Sequence, residues 1–341
     1  MTHFTGNDHW VTGSNVNRRS IGTCGALIIA AFVAFMALTG CTVSNNSENE
    51  NAEDMEHTPL KFGATYMTMN NPYFESLDDS IEEVVVANGD VLLTRDPAQD
   101  QNKQNEQIQE MLDEGVAAIF LNPVDWKAVK PALIKCKEAG VPVFDVDTYV
   151  YDREYVVSSI LSDNYNAGVQ IAHDMMKKRS SARIAIINHE NINSTSLRVQ
   201  GFLDTIQGNP RYRVVVHEKI TAELEVAMEI TKTIIDDGIR FDVVLGGNDP
   251  TALGVLAALQ LRRVEDPILI YGIDGSPDGK TMIKQGFLEG TSAQFPIEIG
   301  NTAAETAYRY LRGESVESNI IIPVKLITQE NLVDYDMAGW Q

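Results

Sequence analysis

The sequence predicts an α/β protein made of two doubly wound domains, and three observations carry that reading. From Leu60 onward, short apolar runs alternate with longer amphipathic ones across connections of a few residues, the signature of strands and helices laid into parallel sheets. The same grammar restarts at Asn164. The units are too many for one compact sheet, and 341 residues suffice for two cores of ordinary size.

The elements follow in order. LKFGATYM is a strand, and NPYFESLDDSIEEVVVANG a helix with Asn71 as its cap, Pro72 at its first position and Gly89 past its end. DVLLTRD is a strand. DQNKQNEQIQEMLDEG is a polar-faced helix that turns Ile108, Met111 and Leu112 to the core. VAAIFLNPV is a strand, WKAVKPALIKCKEAG a helix, VPVFDVD a strand, and VVSSILSD a short strand leading out of the first unit. In the second unit NAGVQIAHDMMKKR, STSLRVQGFLDTIQG, LEVAMEITKTIIDDG, PTALGVLAALQLR and PDGKTMIKQG are helices. ARIAIINH, RVVVHEKI, FDVVLGGN, ILIYGID and TSAQF are the strands between and after them. IEIGNTAAETAYRYLRG is a further helix, and IIIPVKLIT reads as one last strand.

The N-terminus has a different character. A polar segment ends in Arg18 and Arg19, and the uncharged run from Ile21 to Gly40 is long enough to span a bilayer. Basic residues before an apolar core with small residues at its end describe an export signal. Leu38-Thr39-Gly40-Cys41 resembles the lipobox of bacterial lipoproteins, which makes residues 1–40 a signal peptide and Cys41 the lipidated first residue after cleavage. Residues 41–58, rich in Asn and Glu and poor in large apolar groups, read as a disordered tether.

Charge and side-chain chemistry exclude several functions. With 27 basic and 48 acidic residues the net charge is -21, which repels nucleic-acid phosphates and anionic lipid. The three cysteines, Cys24, Cys41 and Cys136, allow no disulfide framework and no zinc spacing, and Cys136 reads as a buried helix residue. Among six histidines His189, just past a strand, could face a cleft, yet no nucleophile–base pair stands out. Neither GxGxxG after the first strand nor GxxxxGK[ST] occurs, so no catalytic residue, cofactor or metal is expected.

What remains is a set of polar residues at strand ends, where open parallel sheets bind ligands: Asn71, Asn122, Asp147, Asn248 and Asp274. Asn71-Pro72, Asp249-Pro250 and Ser276-Pro277 each read as a cap and a proline at a helix start, which would hold the neighbouring side chains firmly.

NNPYFESL, FLNPVD, VPVFDVD, LSDN, RVQGF, GGNDPTALGVLAAL, YGIDGSPDG and TSAQFP resemble, in order and spacing, the ribose/galactose-type periplasmic sugar-binding proteins, relatives of the lactose-repressor effector domains. The resemblance covers about residues 60–330 and implies two Rossmann-like lobes joined by three hinge strands, with a ligand cleft between them. It places residues 59–162 and 295–323 in the N-terminal lobe and 163–294 and 324–341 in the C-terminal lobe. It implies ligand contacts from Asn71, Asn122, Asp147, Arg198, Asn248, Asp274 and Gln294, with Tyr73 and Phe74 against the sugar ring. Asp, Asn, Arg and Gln each pair with adjacent hydroxyls, and aromatic faces pack on the C–H patches of a sugar.

Two positions depart from the family pattern. Thr148 stands where a second arginine follows Asp147, and Ala222 stands near a position usually aromatic, leaving Tyr149 or Tyr151 to replace that wall. The expected function is a monomeric, lipid-anchored, extracytoplasmic receptor that closes on a sugar or related polyhydroxylated ligand and delivers it to an ABC permease. A sensor that hands its closed state to a chemoreceptor or histidine kinase, or a receptor for a nucleoside or furanosyl signal molecule, is the alternative.

Overall fold

The computed structural model describes residues 58–189, 192–221 and 223–340. The export signal, Cys41, Ala222 and the tether up to residue 57 lie outside the described residues.

The first sheet takes β1 (Lys61–Thr65), β2 (Val91–Arg95), β3 (Ala118–Leu121), β4 (Val143–Val146), β5 (Ser158–Ser162) and a late strand, β11 (Asn319–Ile322). Its order is β11-β5-β4-β3-β1-β2, parallel throughout. α1 (Pro72–Ala87) and α9 (Pro296–Leu311) cover one face around Phe62, Leu77, Phe120 and Ala303. α2 (Gln101–Asp113) and α3 (Lys130–Ala139) cover the other around Met111, Ile119 and Leu133. Cys136 belongs to that second core at 2 % exposure, and burial pushes its thiol up to about 12, so it is a packing residue.

The second sheet repeats the plan with β6 (Ala182–His189), β7 (Tyr212–Ile220), β8 (Val243–Gly246), β9 (Leu269–Asp274), β10 (Gly290–Ala293) and β12 (Lys325–Thr328), in the order β12-β10-β9-β8-β6-β7. Only β12 runs antiparallel to its neighbour. α4 (Asn164–Lys178) and α5 (Asn193–Ile206) pack on one face. α6 (Leu224–Asp236), α7 (Asp249–Leu261) and α8 (Pro277–Lys284) pack on the other. Strands buried on both faces read as unbroken apolar runs, which is why β3, β4 and β8 were legible as strands without alternation.

The chain passes between the lobes three times: after β5, after β10, and between β11 and β12. The last passage corrects the single strand expected for IIIPVKLIT. Pro323 has no N–H to give a ladder, and the run splits there, β11 joining the first sheet and β12 the second. The crossings are tied together: Asp163 N donates to Ile322 O at 2.9 Å, and Gln170 bonds Val324 O and Leu326 N.

Two of the three helix starts behave as read. Asn71 Oδ1 accepts from Tyr73 N at 3.0 Å, and Ser276 Oγ from Gly279 N at 2.9 Å. At the third the cap is Asn248, not Asp249. Asn248 Oδ1 accepts from Thr251 N at 2.9 Å, whereas Asp249 is the first helical residue and its carboxylate accepts from Ser276 and Thr291. Each such cap contributes about 1 kcal/mol and fixes the loop that carries it.

In both sheets the strand order reverses at the first strand, between β2 and β3 around β1 and between β7 and β8 around β6. That reversal opens a crevice at the carboxyl ends of the strands.

Candidate functional site

The two crevices face each other. Asn71, Tyr73 and Phe74 enter from the first turn of α1, and Asp147 from the residue after β4. Arg198 comes from α5, Asn248 from the end of β8, Asp274 from the end of β9 and Gln294 from the end of β10. These eight residues line one cavity of about 30 Å³, together with Met67, His189, Ile192, Ser194 and Thr195. Beyond Met67, His189 and Ile192 it adjoins a groove of about 550 Å³ between the lobes.

Asn122 stands apart from the other expected contacts. It lies behind the cavity wall, fully buried, where Nδ2 donates to Asp147 Oδ2 at 3.0 Å and Oδ1 accepts from Met67 N at 3.2 Å. Its work is to hold Asp147. Thr148 Oγ1 also donates to Asp147 Oδ2 at 3.0 Å and meets Ser194 Oγ of the other lobe at 2.9 Å. On the far side Gln294 Nε2 donates to Asp274 Oδ1 at 2.8 Å. Arg198 is anchored from behind: Nε donates to Asn164 Oδ1 at 2.7 Å and Nη1 to Gly247 O at 2.8 Å.

Burial sets the electrostatics. Desolvation pushes Asp274 up to about 8, helped by the neighbouring Asp249 charge and opposed by Arg198. Asp147 is raised by burial, again against Arg198. His189 is lowered to about 3 by burial and by Arg198, so its ring is neutral. Thr251 gives its hydroxyl proton to Asn248 Oδ1, which makes His189 Nε2 the donor to Thr251 Oγ1 at 3.2 Å. This histidine is a wall residue without a nucleophile to activate.

Neither tyrosine proposed to replace the missing aromatic wall reaches the cavity. Tyr149 donates to Asn319 and carries the Arg153 guanidinium 4.3 Å over its ring. Tyr151 is 60 % exposed and edge-on to Trp126 at 5.4 Å. The tyrosines lie on a segment that turns away after Asp147. The apolar surface comes instead from Phe74, Met67 and Ile192. Met67 escaped the sequence reading because it ends an apolar-looking run, with nothing to separate a wall residue from a core residue, and Ile192 because it stands alone among polar residues. His189 was visible as a polar residue past a strand.

Among the described residues no His/Cys/Asp/Glu group is arranged to hold a metal. The cavity offers carboxylates, amides, one guanidinium and the aromatic rings of Tyr73 and Phe74, the former with a hydroxyl. That set can pair with several hydroxyls of a small ring and pack on its C–H surface.

A fold of two facing α/β lobes around a polar, buried cleft defines a ligand-binding protein of the two-lobed kind. The profile described as "Periplasmic binding protein domain" matches residues 62–315, and the chain belongs to that family. It is 30 % identical over 266 residues to the Ribose import binding protein RbsB of Escherichia coli (strain K12), covering 77 % of this chain and 88 % of the relative. The protein of the same name from Bacillus subtilis (strain 168) is 27 % identical over 307 residues, covering 89 % and 99 %. An ABC transporter solute binding protein from Mycobacterium smegmatis, solved with bound glycerol, superposes with a TM-score of 0.78 at 25 % identity over 83 % of this chain and 98 % of that one.

Proposed function

We propose that this chain is an extracytoplasmic sugar receptor that closes its two lobes around a single sugar ring, or a related polyhydroxylated ring, and presents it to an ABC importer. The observation that carries this reading is the cavity itself. Polar side chains from both lobes converge at the carboxyl ends of the strands and line one shared space between them. Asn71, Tyr73, Phe74, Asp147, Arg198, Asn248, Asp274 and Gln294 are the proposed ligand contacts, with Asn122 supporting Asp147. The relatives named above, whose names tie them to ribose import, support binding without chemistry as the role.

The lobes are assigned as residues 59–162 with 295–323 and 163–294 with 324–341, and the working unit is a monomer. Residues 1–40 are the signal peptide, and Cys41 carries the lipid that holds the protein at the membrane. Several acyl chains on one cysteine anchor stably where a single chain does not. No described helix is long and apolar enough to cross a membrane.

The test is thermal unfolding of the chain against pentoses, hexoses, polyols and disaccharides. A ligand that binds only the folded state raises the midpoint with concentration. A shift with one or a few monosaccharides is expected; no shift with any of them from a folded sample overturns the reading. Cys41→Ser is expected to release the protein from membranes, and continued sedimentation with them would overturn the lipid anchor.

A further inference from the structure

The space between the lobes does not end at the ring of proposed contacts. Met67, His189 and Ile192 line both the cavity and the neighbouring groove of about 550 Å³, so a molecule held in the cavity borders the groove directly. The groove persists although the lobes already touch. Thr148 Oγ1 meets Ser194 Oγ at 2.9 Å, and Gln99 Nε2 reaches Glu223 Oε1 at 2.8 Å. It is room left between lobes in contact.

Its walls are apolar wherever their polar groups are not already engaged. Val124 follows β3, Ile220 ends β7 and Val226 stands in the first turn of α6, all three half-buried. Met67 and Ile192 continue the same surface into the cavity. The polar side chains bond to one another. Gln101 Oε1 accepts from Asp125 N at 2.7 Å, and its Nε2 donates to Asn105 Oδ1 at 3.0 Å. Asp125 Oδ1 accepts from Lys127 N and Ala128 N, and Gln99 holds Glu223. Lys219 and Thr221 are exposed and keep their water. A hydroxylated group placed here would find few free partners, whereas an apolar one would take five apolar side chains out of water. Met67, unbranched and adaptable, can fit itself to the shape of such a group.

We propose that the preferred ligand is a glycoside whose sugar ring occupies the cavity and whose apolar aglycone lies in the groove against Val124, Ile220 and Val226. The inference rests on the reading of the cavity as a site for a sugar-like ring, whose contacts stay as assigned.

Calorimetric titration of the full chain, in a detergent without a sugar headgroup, tests it. Glucose, galactose, xylose and arabinose are compared with their phenyl glycosides in both anomers. Cellobiose and lactose, which carry a second sugar in place of the phenyl group, are the polar controls. At least one phenyl glycoside is expected to bind about tenfold or more tightly than its free sugar, and the disaccharides to gain less. Val226→Asp puts a charge in the groove at a helix start, where an acidic residue is tolerated. It should remove the gain and leave the affinity for the free sugar unchanged. No gain for any phenyl glycoside, or a larger gain for a disaccharide, overturns the apolar subsite and leaves the sugar receptor standing. A gain that survives Val226→Asp places the aglycone outside the groove and overturns it as well. Binding of neither free sugars nor glycosides overturns both readings.

Discussion

Asp147 and Asp274 sit at φ 63° and 147°, backbone conformations that L side chains rarely adopt. Such positions cost roughly 1–3 kcal/mol each and persist only where the surroundings impose them. Here the strain and the buried carboxyl groups fall on the same two residues, so the free protein gives up stability to keep its site ready. Asp147→Asn removes the charge while retaining a residue that tolerates φ above zero. It is expected to lower ligand affinity by about a hundredfold, the order for losing one buried charged partner. Its melting temperature should match or exceed that of the parent; a variant that binds normally would show that Asp147 is structural.

The same burial fixes a pH dependence. Folded Asp274 keeps its proton up to about pH 8, whereas in the unfolded chain the group ionises near 3.8. Its stabilising contribution is therefore complete below pH 4 and is lost as pH rises from there to 8, and Asp145, raised to about 7, adds to the same limb. His189 acts in the other direction, since keeping it neutral costs stability as pH falls from 6.5 towards 3. Urea titrations across pH 4 to 9 should show the unliganded protein losing stability on the alkaline side, and Asp274→Asn should flatten that limb. An unchanged limb would place the titrating group elsewhere. Of these residues the sequence exposed Asp147 and Asp274 as polar strand ends, because apolar runs stop at them. Their backbone strain, and the placement of Asn122 behind Asp147, depend on packing that no local pattern encodes.

At the scale of elements, Arg198 is placed by the contact between α4 and α5. Gly168 and Gly201 let the two backbones touch: a Cβ on Gly168 would lie 1.9 Å from Arg198 O, and one on Gly201 would lie 2.0 Å from Tyr165 O. Gly168→Ala must push the helices apart, shifting Arg198 relative to Asn164 and Gly247. A stability loss of about 1–3 kcal/mol is expected, and weaker ligand binding with it. Gly208→Ala supplies the contrast. That glycine sits at φ 76° with open space around it, so strain lowers stability while binding by the folded fraction stays normal. Equal binding by both variants would free Arg198 from this contact. Most elements could be read from the chain because strand and helix periods, caps and prolines agreed locally. The split at Pro323 could not, since a proline inside an apolar run tells where a ladder breaks but not that the two halves join different sheets.

At the scale of the molecule, the lobes are held together by contacts outside the ring of proposed ligand residues as well as within it. Gln99 Nε2 donates to Glu223 Oε1 at 2.8 Å across the cleft, and Ile192, from the start of α5, packs into the apolar core of the first lobe. The segment after β12 adds a clasp. Lys280 of α8 holds the carbonyls of Asp336 and Gly339, and the next residue, Trp340, meets Tyr73 of α1 edge-on at 5.6 Å between ring centroids. Tyr73 lines the cavity, so the clasp bears on the ligand site from behind. An aromatic pair of this geometry contributes about 0.5–1.5 kcal/mol beyond its buried area. Because the pair spans the lobes, that energy belongs to the closed form alone, and losing it shifts the population toward open. Trp340→Ala is expected to weaken ligand binding about two- to tenfold, mainly through faster dissociation, and to enlarge the radius of gyration of the unliganded protein in solution scattering. Tyr73→Phe, which keeps the ring, should preserve the radius. If Trp340→Ala leaves both affinity and radius unchanged, closure is governed by the cleft residues and the segment after β12 serves only to cover Lys280.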